Sequence, residues 1–219
     1  MAEDVMEFDE ISVERLNIVD RNGVLRMAIS GKDRFPNPMI NGKEFVTNRR
    51  CAGFIFFNDD GTECGGLTFG NKHAEILFDQ YNQDQIVGIV YSERDGKRRY
   101  GLTVWDRPET HISELVAELE KIRALPEGHE RAEAEKALRE RFHSPLRMFA
   151  GRLPDGSVAL SMSDGKGRER VRVSVGADDV PRVEILGENG EVKYSLSPKS
   201  KGGTPDSGGA SLEGGGARE

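Results

Sequence analysis

Between Arg147 and Leu196 the sequence alternates with period two and is cut at short intervals by Pro-Asp-Gly, Asp-Gly and Asn-Gly turns. Val158, Leu160 and Met162 share one parity, as do Val171, Val173 and Val175, and then Val192, Tyr194 and Leu196. The positions between them are small or polar: Ala159 and Ser161, Arg172 and Ser174, Lys193 and Ser195. Successive side chains of a strand point to opposite faces, so this pattern describes strands with one apolar face, joined by tight hairpin turns. The stretch reads as five such strands laid end to end.

The same unit occurs near the start of the chain. Asp20-Arg21-Asn22-Gly23 turns into Leu25, Met27 and Ile29, and Arg26-Met27-Ala28-Ile29-Ser30 stands where Arg172-Val173-Ser174-Val175 stands after its own turn. This correspondence is an internal repeat. A change of parity at Glu14-Arg15 predicts a bulge before the first full strand. Pro36 and Pro38 break the pattern and predict an ordered loop over residues 31–50 with Phe35 tucked beneath it. Further strands are expected at 53–57, 66–69, 74–78, 86–91 and 100–105. Gly53, Gly65 and Gly66 within them mark close backbone approach or a bend. Ile86 to Val90 is apolar on both parities, which predicts a strand covered on both faces.

The period then changes. Ile112, Leu115, Val116, Leu119 and Ile122 fall at helical spacing, with Ser113 as the expected N-cap. Pro126-Glu127-Gly128 ends that helix, and a more polar second helix runs to about Phe142. The fold class that follows is mainly β: repeated antiparallel hairpins forming a meander, sandwich or barrel-like sheet, with one inserted helical hairpin. The expected organisation is a flexible N-terminus over 1–7, a β region over 8–107, the helical hairpin over 108–144, and a C-terminal meander over 145–197 packed with the N-terminal region. A tail over 198–219, composed of Gly, Ser, Pro and charge, is expected to be disordered. The apolar parity of the meander demands cover. It can come from curling of the sheet, from the N-terminal strands or from another copy, and the N-terminal strands are expected to supply most of it.

Leu16-Asn17-Ile18-Val19 through Ser30, Phe56 to Glu63 with Gly65-Gly66-Leu67, and Phe78 to Gln85 together resemble a group of uncharacterised bacterial β-repeat proteins. The resemblance spans residues 8–196. It implies a bacterial, β-rich protein and no activity, cofactor or catalytic residue.

The residues themselves narrow the chemistry. The net charge of −7 argues against a general nucleic-acid-binding surface. Cys51 and Cys64 are too few for a disulfide framework or a metal quartet and read as free thiols, with a bridge between strands as the alternative. The first residues lack the apolar run of a signal peptide, and no stretch has the length of a membrane span, so a cytoplasmic protein with no membrane partner is expected. Asn58-Asp59-Asp60-Gly61 invites a calcium-loop reading, but Phe56 and Leu67 would occupy the first and twelfth ligand positions, which rules out an EF-hand. A looser cation site at Asp59, Asp60 and Glu63 stays open. His73, His111, His129 and His143 lack zinc spacing, and no metal or other cofactor is expected. His73 with Asp79 is the one candidate acid–base pair. No nucleophile elbow and no phosphate loop occurs.

Asp79-Gln80-Tyr81-Asn82-Gln83-Asp84-Gln85 is the one run where the alternation fails without Gly or Pro to explain it, and such departures are expected at functional sites. The candidate ligand-binding residues are therefore Asp79, Gln80, Tyr81, Gln83 and Asp84, with Tyr81 stacking on a sugar or peptide and the others bonding to it. Three functions remain. The first is a non-enzymatic β-repeat structural or interaction protein, self-associating or binding an unidentified protein partner. The second is a small-ligand barrel or sandwich using the turns at 58–63 and 79–85. The third, an enzyme, has the least support.

Overall fold

In the computed structural model, residues 6–40, 43–45 and 49–198 are described. The expected tail, apart from Pro198, and residues 1–5 lie outside them. Twelve strands form one antiparallel sheet in which every neighbour in space is the next sheet strand in sequence. They are β1 (Arg15–Val19) and β2 (Leu25–Ser30), then, after a small separate ribbon of β3 (Met39–Ile40) and β4 (Lys43–Glu44), β5 (Ala52–Phe57), β6 (Glu63–Phe69), β7 (His73–Asp79), β8 (Gln85–Arg94) and β9 (Lys97–Trp105). The helices α1 (Ile112–Arg123) and α2 (His129–Arg141) follow. The sheet resumes with β10 (Leu146–Arg152), β11 (Val158–Ser163), β12 (Glu169–Val175), β13 (Pro181–Leu186) and β14 (Val192–Leu196). The molecule is mainly β with one helical hairpin, and the five C-terminal strands are where the alternation places them.

One turn builds most of the hairpins. In Asp20–Val24, Asn58–Thr62, Leu153–Ser157, Asp164–Arg168, Gly176–Val180 and Gly187–Glu191, the first N–H donates to the fifth carbonyl and the fourth N–H donates to the first carbonyl. The fourth residue has positive φ, hence Gly23, Gly61, Gly156, Gly167 and Gly190, with Asp179 the one non-glycine. Side-chain oxygens reinforce the loop: Asn58 Oδ1 accepts from the N–H groups of Asp60 and Thr62, both at 3.0 Å. Asp164 Oδ1 repeats this with Lys166 and Arg168. β8 and β9 instead share a two-residue turn in which Asp95 and Gly96 both have positive φ, as a type I′ hairpin requires.

The register carries one consequence across the whole sheet. Starting at Leu16, the residues directly opposite one another are Ile29, Phe54, Leu67, Ile76 and Ile89, then Leu102, Ala150, Leu160, Val173, Val183 and Leu196. Every strand of the sheet contributes an apolar residue to that row. The neighbouring row on the same face, from Ile18 through Met27 and Phe56 to Met162, Val171, Ile185 and Tyr194, is equally apolar, with Gly65 its only residue lacking a side chain.

The opposite face differs along its length. At the N-terminal end Ala28, Ile55 and Phe57 are buried under Leu25, Phe35 and Met39, so the proline-bearing segment acts as a lid, as expected for Phe35. At the C-terminal end the face carries Arg172 forked between Glu169 and Glu184. In the middle Gly101 on β9 faces Gly151 on β10. A Cβ on Gly151 would lie 2.1 Å from the carbonyl oxygen of Tyr100, and one on Gly101 would lie 2.3 Å from that of Ala150. The backbones approach here to a distance that only glycine permits.

Four expectations need correction. The N-terminal strands extend the same sheet sideways and do not cover the C-terminal apolar face: Val173, Val183 and Ile185 are 41%, 40% and 42% exposed. β8 is not covered on both faces, because Ile89 is 59% exposed. The N-cap of α1 is His111, whose Nδ1 accepts from the N–H of Ser113; the side chain two residues earlier reaches the orphan donor. The irregularity in the first hairpin lies between Ile18 and Val19, because the chain must shift register to enter the Asp20 turn, and not at Glu14-Arg15.

The helical hairpin packs on itself through Ile122, Leu138 and Phe142, with Leu115, Leu119 and Ala134 beside them. It is an excursion from the β9–β10 pair, closed by Asp106 N–H donating to the Pro145 carbonyl at 3.0 Å. Gly151→Val should cost about 2–4 kcal/mol in urea unfolding, because the backbone must move to admit the side chain. Gly165→Ala, with no atom within 4 Å of its added Cβ, should be neutral within about 0.5 kcal/mol.

Candidate functional site

The polar run is less exceptional than its sequence suggests. Gln80 N–H donates to the Asp84 carbonyl and Gln83 N–H to the Gln80 carbonyl, the same pair of bonds that closes the repeat turns. The positive φ falls on Asn82, which tolerates it, so no glycine is needed. Gln83 occupies the usual glycine position because its side chain has work elsewhere. It is buried, and its Nε2 donates to the carbonyl of Thr110. Ile112 N–H donates to the carbonyl of Asn82 at 2.9 Å. The run is thus the anchor of the helical insertion.

The five candidate residues separate accordingly. Gln80 contributes backbone bonds to the turn. Tyr81 is 67% exposed and donates its hydroxyl to Asp60 Oδ2 at 2.8 Å. Asp84 lies 3.6 Å from Arg107, which also donates to the carbonyl of Gln85. Asp79, at the end of β7, faces away from the others into a cavity of about 170 Å³ lined by Phe35, Arg49, Cys51, Glu63, Glu75 and Gln85. Its Oδ1 is buried with no hydrogen-bond partner. Burial pushes its carboxyl up to about 7, the charges of Glu63 and Asp84 add to this, and Arg49 and Arg107 oppose it.

The remaining chemical candidates are engaged elsewhere. His73 sits at the opposite end of β7 from Asp79, about 20 Å away at strand rise, and lies 3.2 Å from Glu75; the proposed acid–base pair is not assembled. Asp59 pairs with Arg26, Asp60 accepts from Tyr81, and Glu63 accepts from Nη1 and Nη2 of Arg49 at 2.8 and 2.9 Å. No group of three or more metal-ligating side chains occurs among the described residues. Cys51 and Cys64 are free thiols, both pushed up by burial.

What sequence reasoning missed is the size of the apolar face. It registered the alternation strand by strand, but only the register shows the rows to be continuous from β1 to β14. On that face Ile29, Ile76, Phe78, Ile89, Val173 and Ile185 are 37–59% exposed, and Tyr194 and Leu196 reach 72% and 74%. At its C-terminal end Val158, Leu160, Val173, Val183 and Leu196 line a shallow hollow of about 610 Å³. Charge reaches the face only at strand ends, through Arg152 and the Glu93–Arg98 pair.

No protein family, curated protein or solved structure matches this chain. No helix among the described residues is long and apolar enough to cross a membrane.

Two outcomes follow from the run and its cavity. Gln83→Ala should cost about 1–3 kcal/mol, since it leaves the Thr110 carbonyl without its donor, whereas Tyr81→Ala should change thermal stability little. Asp79 is protonated in the folded chain up to a pH where the unfolded chain has already lost that proton. The folded state therefore binds more protons between about pH 4 and pH 7, and stability falls as pH rises through that window, by at most about 1.4 kcal/mol per unit. Asp79→Asn should flatten that slope in denaturant titrations. It should stabilise the chain at pH 8 and leave it little changed at pH 4.

Proposed function

We propose that this chain is a non-enzymatic interaction protein that works through the apolar face of its sheet. The observation that carries the reading is the pair of apolar rows, interrupted only at Gly65, that runs from β1 to β14. A soluble monomer rarely exposes a contiguous apolar patch beyond about 300–600 Å². Twelve strands about 4.8 Å apart make this face about 50 Å wide, and two side-chain rows span about 14 Å along the strands, so the rows alone cover about 700 Å². Antiparallel sheets leave a polar face to water and bury an apolar one. Here the polar Arg172–Glu184 end and the lidded N-terminal end account for the other face, and the apolar face is left for an occupant.

The ligand reading is favoured by less. Of its five residues, Gln83 and Asp84 hold the helical insertion and its approach in place, and Asp79 faces a cavity too small for a sugar with its neighbours. An apolar fluorescent dye tests the interaction reading directly. The folded chain, diluted until it is a single species of 24.2 kDa, should bind the dye. Val158→Ser combined with Val173→Ser and Ile185→Ser should lower the bound amount while circular dichroism keeps the strand signal. The control Lys193→Ser, on the other face, should leave it unchanged. Arg172 is unsuitable as a control, because its replacement by an acid would set three carboxylates together with Glu169 and Glu184. A folded single species that takes up no dye would overturn the reading.

A further inference from the structure

We infer that the occupant of the apolar face is a second copy of this chain, stacked sheet on sheet about a two-fold axis. The inference rests on the proposed use of that face and names what covers it.

Among the described residues, the segments outside the sheet do not match the task. The helical hairpin spends Ile122, Leu138 and Phe142 on its own interior, and α2 carries Glu, Arg and Lys over the rest of its surface. Residues 199–219 contain Leu212 as their one large apolar residue. The stretch before β1 mixes apolar with acidic residues and adds to the demand, because Met6, Phe8, Ile11 and Val13 are 57–77% exposed.

A copy of the chain fits in width, charge and shape. The apolar rows run to both edge strands, so a narrow partner would leave part of the face wet, and an identical sheet is as wide as the face it covers. Isologous contact sets each face against itself, which is unfavourable for a charged surface and harmless for one whose few charges sit at strand ends. The ion pairs of Arg172, Arg49 and Arg182 all stay on the opposite face. The footprint of about 700 Å² per chain from two rows approaches the roughly 800 Å² per partner of a standard interface, and the flanking apolar positions Phe69, Tyr100, Val158 and Val175 extend it. Two such sheets pack about 10 Å apart with strands within about 30° of parallel, the geometry of a β-sandwich core. The hollow at Leu160 and Val183 takes side chains of the facing sheet, and Tyr194 and Leu196 stand at its rim as the most exposed apolar side chains of the strands.

The test is the mass of the full chain in solution by sedimentation equilibrium, over a range of concentrations. The expected mass is twice 24.2 kDa, falling to 24.2 kDa on dilution. Val173→Glu with Ile185→Glu should abolish the doubling, and Lys193→Glu should not. A folded double variant that still doubles would place the contact elsewhere and overturn the inference. A second readout uses the native sequence and so does not depend on the variant's folding. Met162, on the face, should be oxidised by peroxide more slowly at high protein concentration than at low. Oxidation of Met162 at one rate throughout would overturn the inference. A native chain of 24.2 kDa at every concentration would also overturn it. Such a chain that binds the apolar dye keeps the interaction reading with a different occupant, and one that does not bind it ends both.

Discussion

The antiparallel register is the constraint on which the rest of this structure depends. Each repeat turn closes with two backbone bonds and fixes which residues stand opposite one another. Because each turn returns the chain with its apolar parity on the same side, the apolar positions of successive strands add rather than cancel. A single slipped register would throw one strand's apolar set to the polar side. None is thrown between β1 and β14, and the few irregularities fall at strand ends, five next to turns and one at Leu146, where the chain returns from the helical hairpin. The long apolar face is the summed result of short local decisions.

A sheet made in this way has an energetic problem that its turns cannot solve. Backbone bonding is satisfied strand to strand, but most of the apolar surface remains wet until something lies on it, and burial is the dominant favourable term in folding. The chain solves this for two small regions. The proline-bearing segment brings Phe35 and Met39 over Ala28, Ile55 and Phe57, and the helical hairpin buries Ile122, Leu138 and Phe142 between its own helices. Neither covers the continuous face. A second sheet of the same kind is the economical answer, because the repeat that generates one apolar face generates its match.

The polar run at 79–85 shows how a local departure from pattern can mislead. It lacks glycine and alternation, which in sequence looks like a site. In the fold it is a repeat turn whose glycine position has been taken by Gln83 so that a buried amide can reach Thr110. The irregularity marks where an insertion is tied to the sheet. Asp79 is the exception within the run. Its buried, unpaired oxygen and its carboxyl near 7 come first from burial beneath the lid and then from the charge of Glu63 on the neighbouring strand, neither of which is visible from its neighbours in sequence.

By itself the sequence determined the strands, their turns and the helical hairpin, because those depend on period, on residues that accept positive φ and on proline, all of them local. It determined the parity of Val158, Val173 and Ile185 for the same reason. Only the tertiary structure decided that the N-terminal strands lie beside the C-terminal ones and not on top of them, since alternation is the same for a strand in a sandwich and a strand in a single layer. Only the tertiary structure separated Tyr81, Gln83 and Asp79 into surface, anchor and cavity, because the partners that define those roles, Asp60, Thr110 and Glu63, are distant along the chain. The exposed face is a property of the whole register, and no stretch of sequence shorter than the sheet contains it.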